Sequence, residues 1–411
     1  MEKSRFAGMR RSVIAIALGL AAAAIVIAAT GGSPLEAFRA LLQGFFGDLP
    51  GALRASLDQR HPVLPNELYR SLGKATPLLL SGLAVALALR AGLFNIGAEG
   101  QLLVGGLAAA WAGFAISGLP AFLHLPLALA AGMTAGALWG FIPGLLKSWR
   151  GAHEVIVTIM LNYVAIHLTH YLVTKVLIEP PATNPNNVPR TPEVLQTARL
   201  WAPDVPVFSS GFFLALLAAV GFAFLLRRTA LGFEIRAAGL GPEAARTAGI
   251  PVGRTMVVAM MLSGALAGLA GAVEVLGNHH RFFDAFSPGY GFDSIAVALL
   301  GGLSSLGVTL SAVLFGGLSS GALQMEAFTD TPRQITGIIQ AVVILAVASR
   351  YGSFPILLET YRECLKDVFD LPALVELLKD VASHRVRVVT VDSRTPSPFA
   401  SALLFSYVGN F

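Results

Sequence analysis

The sequence has little charge and almost no cysteine. Only 13% of its 411 residues are charged, whereas a soluble globular domain carries roughly 25%, so an ordinary soluble enzyme is excluded. Apolar residues make up 55% of the chain and the net charge is only +5, which excludes intrinsic disorder. The charged residues are sparse and scattered, so nucleic acid is not an expected partner. The single cysteine, Cys364, cannot form an internal disulfide.

Motifs for an energy source or a catalytic centre are also missing. The chain contains no GxxxxGK[ST] phosphate loop, no Ser/His/Asp arrangement and no metal-ligand spacing. The neighbouring His279 and His280 have no carboxylates or thiols around them in the sequence. We therefore expect no metal, no cofactor and no catalytic residue, and ATP would have to be handled by a partner.

Long apolar runs, by contrast, are abundant. A hydrocarbon core about 30 Å thick needs about 20 apolar helical residues to cross it. The first run exceeds the roughly 7–15 apolar residues of a signal peptide, which favours an uncleaved helix over cleavage near Ala29. We expect an all-α membrane protein with about ten transmembrane helices. These lie at residues 12–30, 75–92, 101–118, 122–146, 155–178, 210–227, 254–276, 292–304, 306–325 and 335–349.

Basic residues accumulate in the loops of one side. The first run follows Arg10 and Arg11, and the loops predicted on the same side carry Arg90, Lys147, Arg150, Arg227, Arg228, Arg236, Arg246 and Arg254. The short loops of the opposite side hold only Arg333. The long external loops at 31–74 and 179–209 are also basic, but long loops carry little weight. By the positive-inside rule, both termini should be cytoplasmic.

Glycines recur at a spacing of four residues on several of the predicted helices. Small residues at this spacing let membrane helices approach closely and gain stability by packing. We therefore interpret these glycines as packing positions rather than as ligand contacts. They are Gly132, Gly136, Gly140 and Gly144, the pair Gly264 and Gly268, and the pair Gly317 and Gly321.

Residues 92–101 do not have the pattern of a plain span. Three glycines weaken a helix there, and Asn95, Glu99 and Gln101 place polar atoms next to apolar runs. Broken backbone is tolerated in a membrane only where it is buried in protein or lines a cavity, and an intramembrane carboxylate is a functional candidate. The alternative is a cytoplasmic turn in which Glu99 is solvated.

A second segment, residues 289–305, resembles the first in kind. It is a short apolar run with glycines at both ends and one carboxylate, Asp293, near its start. Two interrupted elements in the two halves of a chain point to a substrate path at a repeat interface. We therefore expect broken or re-entrant elements among the ten helices.

The fifth predicted span carries several polar side chains. Asn162 lies deep in the span and must find a partner, as a contact in a substrate path or between helices. Tyr163, His167, His170 and Tyr171 follow the spacing of one helical face. That face could line a pore, or His170 and Tyr171 could belong to the outer aromatic belt.

The longest cytoplasmic loop, residues 228–253, contains one short predicted helix. Pro242 suits the first turn, Glu243 is favoured there by the helix dipole, and Gly249 suits the end. A helix this short is not stable alone, so we expect it to dock against another protein.

Four stretches resemble a known family. RAAGLGPEAARTAGI (236–250) resembles the cytoplasmic coupling loop of ABC-importer permeases that handle ribose, branched-chain amino acids and nucleosides. LFNIGAEGQ (93–101), HEVIVTIMLNY (153–163) and GFDSIAVALLGG (291–302) resemble nucleoside permeases that work with lipoproteins of the basic membrane protein type. The resemblance covers about residues 10 to 350, with the four motifs in the expected order.

The resemblance implies a multi-pass permease subunit in the bacterial plasma (inner) membrane. Its partners would be an ABC ATP-binding subunit, a second permease subunit and an extracytoplasmic substrate-binding lipoprotein, and it would have no ATPase site of its own. A ribose-type sugar or branched-chain amino acid importer is the alternative within the class, and an ion-coupled secondary transporter is the alternative outside it.

The resemblance, together with the residue patterns described above, assigns residues to two roles. Candidates for the substrate path are Phe94, Asn95, Glu99, Gln101, Asn162 and Asp293. Candidates for coupling to the ATPase are Arg236, Gly239, Gly241, Pro242, Glu243, Ala244, Ala245, Arg246 and Gly249. Gly239 to Gly249 would form the coupling helix.

The C-terminal part of the chain differs from the rest. Residues 351–411 hold 6 basic and 7 acidic residues, about twice the charge fraction of residues 1–350. The stretch ETYRECLKDVFDLPALVELLKDV resembles an internal part of large helicase-related DNA helicases, without any of their motor motifs. We therefore expect a permease domain at 1–350 and a soluble-like tail of foreign origin at 351–411, cytoplasmic and dispensable for transport.

Overall fold

The computed structural model describes residues 2–29, 31–48, 65–202, 207–329 and 334–348. The predicted tail, residues 351–411, lies outside these ranges. Within them the chain is helical, and a single β-bridge pairs Arg190 with Phe283. The helices are α1 (Glu2–Ala29), α2 (Pro34–Phe46), α3 (Asn66–Arg90), α4 (Ala98–Ala115), α5 (Ala121–Arg150), α6 (Glu154–Tyr171), α7 (Gly211–Arg228), α8 (Ala230–Leu240), α9 (Pro242–Thr247), α10 (Val252–Glu274), α11 (Tyr290–Leu300), α12 (Ser305–Phe328) and α13 (Ile335–Ala348).

Six of the described helices are long and apolar enough to cross a membrane: α3, α5, α6, α7, α10 and α12. Short π-helical turns extend α6 to Val176 and α10 to His279. Every apolar run predicted from the sequence contains a helix, so the all-α membrane fold is confirmed. The count of ten spans and the cytoplasmic position of the termini stay predictions.

The segment 31–74 is not the plain external loop that the sequence predicts. In its described part it holds α2 and the first residues of α3. One face of α2 buries Ala37, Leu41 and Phe45. The run is too short and too mixed to resemble a span, and it is helical because its apolar face packs on the bundle.

The glycines of α5 and α10 form one close helix–helix contact. A Cβ on Gly264 would collide with the carbonyl oxygen of Gly136, and a Cβ on Gly268 with that of Gly132. The two backbones therefore touch without intervening side chains, which is the arrangement that stabilises helix pairs in lipid. The predicted packing role of these glycines is confirmed.

The glycine pair of α12 serves the unexpected helix α2. A Cβ on Gly317 would enter the ring of Phe45, and a Cβ on Gly321 would meet the carbonyl oxygen of Leu41. The spacing of four residues predicts a packing face correctly, while the partner could not be predicted because α2 has no strong sequence signal.

Residues 177–202 belong to the long connection that follows α6. This connection lies at the C-terminal end of α10, which is the end remote from α9. Glu179 lies 2.6 Å from Arg190 and 2.8 Å from Arg281, and Glu193 lies 2.9 Å from Arg281. Burial raises the pKa of Glu179, but the two guanidiniums outweigh it and hold that pKa below its usual value. These ion pairs therefore tie the connection to the residues that follow α10.

We predict that Gly264→Ala lowers the melting temperature of the detergent-purified protein. The added methyl group meets backbone atoms of α5, and overpacking of this kind costs about 1–3 kcal/mol. Gly221→Ala on α7 is the matched control, because nothing lies within 4 Å of its Cβ position. An equal melting temperature for Gly264→Ala and the native chain would contradict the glycine contact.

Candidate functional site

The two interrupted segments predicted from the sequence meet in the structure. α4 begins at Ala98, after the non-helical residues 91–97, and α11 begins at Tyr290. The backbone N–H of Gly291 donates to Oε2 of Glu99 at 2.6 Å. A Cβ on Gly291 would collide with the backbone of Glu99, so the contact requires glycine at this position.

Both helices begin inside the protein. Glu99 is only 4% exposed, so the alternative of a solvated Glu99 in a cytoplasmic turn is wrong. α11 has 11 residues, which rise about 16 Å and cover about half of a hydrocarbon core about 30 Å thick. The Glu99 carboxylate thus lies at the N-terminal ends of two helices, where the helix dipoles favour a negative charge.

A buried polar cluster surrounds Asn95. Its Nδ2 donates to Oγ of Ser263 at 2.8 Å and to Oε1 of Gln101 at 2.9 Å. Its Oδ1 accepts from the backbone N–H of Gly97 at 3.0 Å. Asn95 and Ser263 are 0% exposed and Gln101 is 1% exposed. Because Ser263 belongs to α10, the cluster ties the break before α4 to a third helix.

Asn162 of α6 holds the same break from the other side. Its Oδ1 accepts from the backbone N–H of Gly100, and its Nδ2 donates to the carbonyl oxygen of Ile96, both at 2.9 Å. A helix that starts inside a bundle leaves backbone groups without helical partners. The amide of Asn162 provides the hydrogen-bond partners for two such groups. The expectation that Asn162 finds a partner is confirmed, and the partner is the interrupted segment.

Phe94 and Asp293 lie at the edge of this arrangement. Phe94 is half-buried within the break, and Asp293 is half-buried in the first turn of α11. Asp293 is close enough to Glu99 for the two carboxyl groups to interact electrostatically. The structure therefore brings four of the predicted path residues into one buried group, namely Asn95, Glu99, Gln101 and Asn162.

A second polar group, which the sequence analysis missed, lies at the end of α10. Glu274 is 3% exposed and accepts a hydrogen bond from Nδ2 of Asn278 at 2.9 Å. Nε2 of His279 lies 3.5 Å from the same carboxylate, and Tyr290 interacts with it electrostatically. A carboxylate inside an apolar run is the available signal, although the composition of residues 254–276 predicts a plain span.

The described residues contain no group of three or more potential metal ligands. His279 and His280 therefore do not belong to such a group. In the part of the chain that the structure describes, the acidic contact of His279 is with Glu274, which already accepts a hydrogen bond from Asn278.

The stripe of aromatic and histidine residues on α6 points away from the buried cluster. Tyr163 and Tyr171 are 58% and 57% exposed. Nδ1 of His170 lies 2.7 Å from Oδ2 of Asp284, which belongs to the segment between α10 and α11. This outward placement favours the aromatic belt over a pore lining for His170 and Tyr171.

The short helix predicted in the cytoplasmic loop is present as α9. Pro242 occupies its first position and Glu243 its first turn. Gly249 follows its end with a φ of +85°, a backbone conformation that glycine adopts without strain. The predicted start and stop signals of this helix are confirmed.

The exposed side of α9 and Leu240, the last residue of α8, form a small surface, which we call the coupling surface and define as Leu240, Glu243, Ala244 and Arg246. Leu240 is 91% exposed, and Glu243 pairs with Arg246 at 3.0 Å in solvent. On the opposite side of α9, Ala245 is buried against α8 and α10. The helix is thus anchored by one residue and presents the others outward.

Gly239 and Arg236 do not belong to this helix. Both lie in α8, and Gly241 forms the turn to α9, so the expectation of one helix from Gly239 to Gly249 is wrong. A Cβ on Gly239 would collide with the carbonyl oxygen of Arg90. The end of α8 therefore packs on the end of α3, directly before the break that contains Asn95.

A known protein family matches most of the chain. The family described as "Branched-chain amino acid transport system / permease component" matches residues 68–348. This range includes the break before α4, the coupling surface and α11. No solved structure matches the chain.

Two curated permeases are similar over the same part. The "Guanosine ABC transporter permease protein NupP" of Bacillus subtilis is 44% identical over 348 residues, which are 83% of this chain and 93% of that protein. The "Glucose ABC transporter permease protein TsgB13" of Haloferax volcanii is 39% identical over 289 residues, which are 68% of this chain and 75% of that protein.

The C-terminal part matches an unrelated protein, as the sequence predicted. The family described as "DEAD/H associated" matches residues 331–400. The "Lhr helicase/ probable uracil glycosylase" of Mycolicibacterium smegmatis is 54% identical over 72 residues, which are 18% of this chain but only 5% of that protein.

The apolar helices and the permease relatives agree on the cellular setting. The chain is a multi-pass protein of the bacterial plasma membrane. The family match covers more than half of the chain and includes both groups of residues that the sequence analysis selected. The chain belongs to the family of branched-chain amino acid transport system permease components.

Proposed function

We propose that this chain is the permease subunit of an ATP-binding cassette importer that carries nucleosides. The observation that carries the proposal is the buried polar cluster around Asn95 and Glu99 inside an otherwise apolar bundle. Amide and carboxylate groups can bond both the edges of a base and the hydroxyls of a ribose. The similarity to a guanosine permease supports this class of substrate.

The packing of α8 suggests how ATP hydrolysis by a partner would move the residues of the polar cluster. The ATP-binding subunit would sit on the coupling surface, because that surface offers an exposed leucine and a solvent-exposed ion pair. Movement of α9 displaces the end of α8, which lies against Arg90. Arg90 is followed within a few residues by Asn95, so the displacement acts on the broken segment and can open it to one side.

The same mechanism implies the other partners. This chain provides one coupling surface, so a second permease subunit, identical or different, would provide the other for a two-subunit ATPase. The chain has no ATPase site of its own in this proposal. An extracytoplasmic lipoprotein would deliver the substrate at the opposite end of the bundle.

The proposed topology has about ten spans, counting α4 and α11 as broken elements, and both termini in the cytoplasm. The basic residues at the α9 end of the bundle support this orientation. Arg90 ends α3, Arg227 and Arg228 end α7, and Lys147 and Arg150 end α5.

A sugar is the second candidate substrate. The glucose permease similarity favours it, and a sugar shares the ribose hydroxyls of a nucleoside but lacks the base. The decisive experiment is ATP-dependent uptake of labelled guanosine by the chain reconstituted with its ATP-binding and substrate-binding partners. Guanosine uptake that unlabelled nucleosides compete away supports the first proposal, and uptake of labelled glucose without uptake of guanosine overturns it in favour of the second.

We predict that Asn95→Ala and Glu99→Gln each reduce guanosine uptake or substrate-stimulated ATPase activity by about tenfold or more. Asn95→Ala removes a buried hydrogen-bonding group, and Glu99→Gln replaces one carboxyl oxygen by an NH2 group that cannot accept; losses of this kind cost about 1–3 kcal/mol. Thr169→Ala is the control, because Thr169 is also buried but bonds only within α6. Unchanged uptake and specificity in both variants would leave the cluster with a structural role only.

We also predict that Glu243→Arg and Gly249→Trp abolish ATP-driven uptake while the permease stays folded. The first reverses the charge at position 243 and removes its ion pair with Arg246, and the second forces a side chain onto a left-handed backbone next to the coupling surface. Glu36→Arg is the control, since Glu36 is also an exposed glutamate in the first turn of a helix. Normal uptake by both variants, with normal melting temperatures, would refute the coupling assignment.

The tail at 351–411 is proposed to be of foreign origin and without a role in transport. The similarity to 5% of a much longer helicase supports this origin. We predict that removing residues 351–411 leaves ATP-dependent uptake within about twofold of the full chain, because the substrate and coupling residues all precede residue 350. Loss of uptake by a well-folded truncated protein would show that the tail contributes to transport.

A further inference from the structure

A basic pocket lies between the ends of α3, α7, α8 and α12, on the same end of the bundle as α9. The cavity measures about 120 Å³. Of the described residues that line it, three are arginines, namely Arg90, Arg227 and Arg236, and none is an acidic residue. The lining is therefore positive, and Arg227 and Arg236 are the charges that an anion entering the cavity would meet.

Backbone geometry adds to the positive character of the pocket. α12 begins at Ser305, and the Oγ of Ser304 accepts from the backbone N–H of Gly307 as a helix cap. The N-terminus of this long helix, with its positive dipole end, therefore lies at the cavity wall. The Nε and Nη2 of Arg90 donate to the carbonyl oxygen of Leu303 at 3.1 and 2.9 Å, which fixes the guanidinium at that wall.

The surroundings of the pocket suggest where the anion comes from. α7 exposes a stripe of large apolar side chains, Leu217, Val220 and Phe224, that leads along the helix toward Arg227 and Arg228. Phe222 and Leu226 line the apolar part of the pocket itself. An apolar stripe that ends in arginines matches a molecule with an acyl chain and an anionic head, and basic pockets between membrane helices are a known type of headgroup site.

We propose that this pocket binds the phosphate of an anionic membrane lipid. The guanidiniums of Arg227 and Arg236 would contact the phosphate oxygens beside the N-terminus of α12. Arg236 belongs to α8 and Arg90 ends α3, so a bound phosphate would lie where these two helices meet. Inorganic phosphate offers the same chemistry without the acyl chains, and it is the alternative source of the anion.

The test uses the full chain, purified in detergent, freed of lipid and studied by native mass spectrometry. Phosphatidylglycerol and phosphatidylcholine are titrated separately, each with and without inorganic phosphate. We expect saturable binding of one phosphatidylglycerol per chain, with weaker binding of phosphatidylcholine. Arg227→Gln and Arg236→Gln should each weaken phosphatidylglycerol binding about fivefold.

Arg228→Gln is the matched control. It removes the same charge from the next residue of α7, which does not line the cavity, so it should change the affinity less than twofold. Because Arg227 is exposed, its variant should retain the native melting temperature. The assay needs neither ATP nor transport, so its failure and the failure of the proposed importer function are distinguishable.

Four outcomes decide the proposal. One saturable phosphatidylglycerol site that is weakened by Arg227→Gln but not by Arg228→Gln supports it. Equal weakening by Arg228→Gln indicates diffuse surface charge and overturns it. Saturable binding of inorganic phosphate, without any preference for phosphatidylglycerol, indicates that the anion is free phosphate and overturns its assignment to a lipid. Loss of affinity for the ATP-binding subunit, with lipid binding unchanged, overturns it in favour of protein docking at these arginines.

Discussion

The structure depends on how the backbone polar groups at one break between helices, before α4, find hydrogen-bond partners inside an apolar bundle. Every buried backbone polar group in a membrane protein needs an internal partner, because no water is available to replace it. The chain is non-helical at residues 91–97, and side chains supply the bonds that the backbone does not. Asn162 bonds Ile96 within the break and Gly100 in the first turn of α4, and Asn95 bonds the backbone N–H of Gly97.

The hydrogen bonds at this break also fix the positions of the helices around it. Glu99 accepts from the first turn of α11, and Asn95 contacts Ser263 of α10. These contacts require close approach, which glycine provides at Gly291 and along the contact between α5 and α10. The polar cluster is therefore narrow and fully bonded, and a substrate can reach it only if the helices move apart.

The same close packing connects the two sites of the proposed mechanism, which are the coupling surface and the polar cluster. Gly239 packs on Arg90, which lies a few residues before Asn95. Because protein interiors are close-packed, a displacement at this contact is passed on rather than absorbed. The coupling surface and the polar cluster are thus connected by a short, continuous stretch of packed chain, and the basic pocket around Arg90 lies beside it.

The sequence by itself determined the features that depend on local composition. Apolar runs indicated the helices, three glycines with polar neighbours indicated the break at 92–101, and Pro242 and Gly249 marked α9. Two expectations, the external loop at 31–74 and the single helix from Gly239 to Gly249, were wrong for a related reason. The helices α2 and α8 have weak local signals. α2 forms because it packs on α12, and α8 forms because it packs on α7 and α10 and, at Gly239, on α3.

Only the tertiary structure decided which residues meet. The partner of Glu99 is a backbone N–H 192 positions away, and the acidic residue of α10, Glu274, joins a polar group whose other members belong to later segments. Periodicity and helix signals act over a few residues, so they determine where helices begin and end. Contacts between distant residues depend on the packing of the whole bundle, and a single sequence does not state that packing locally.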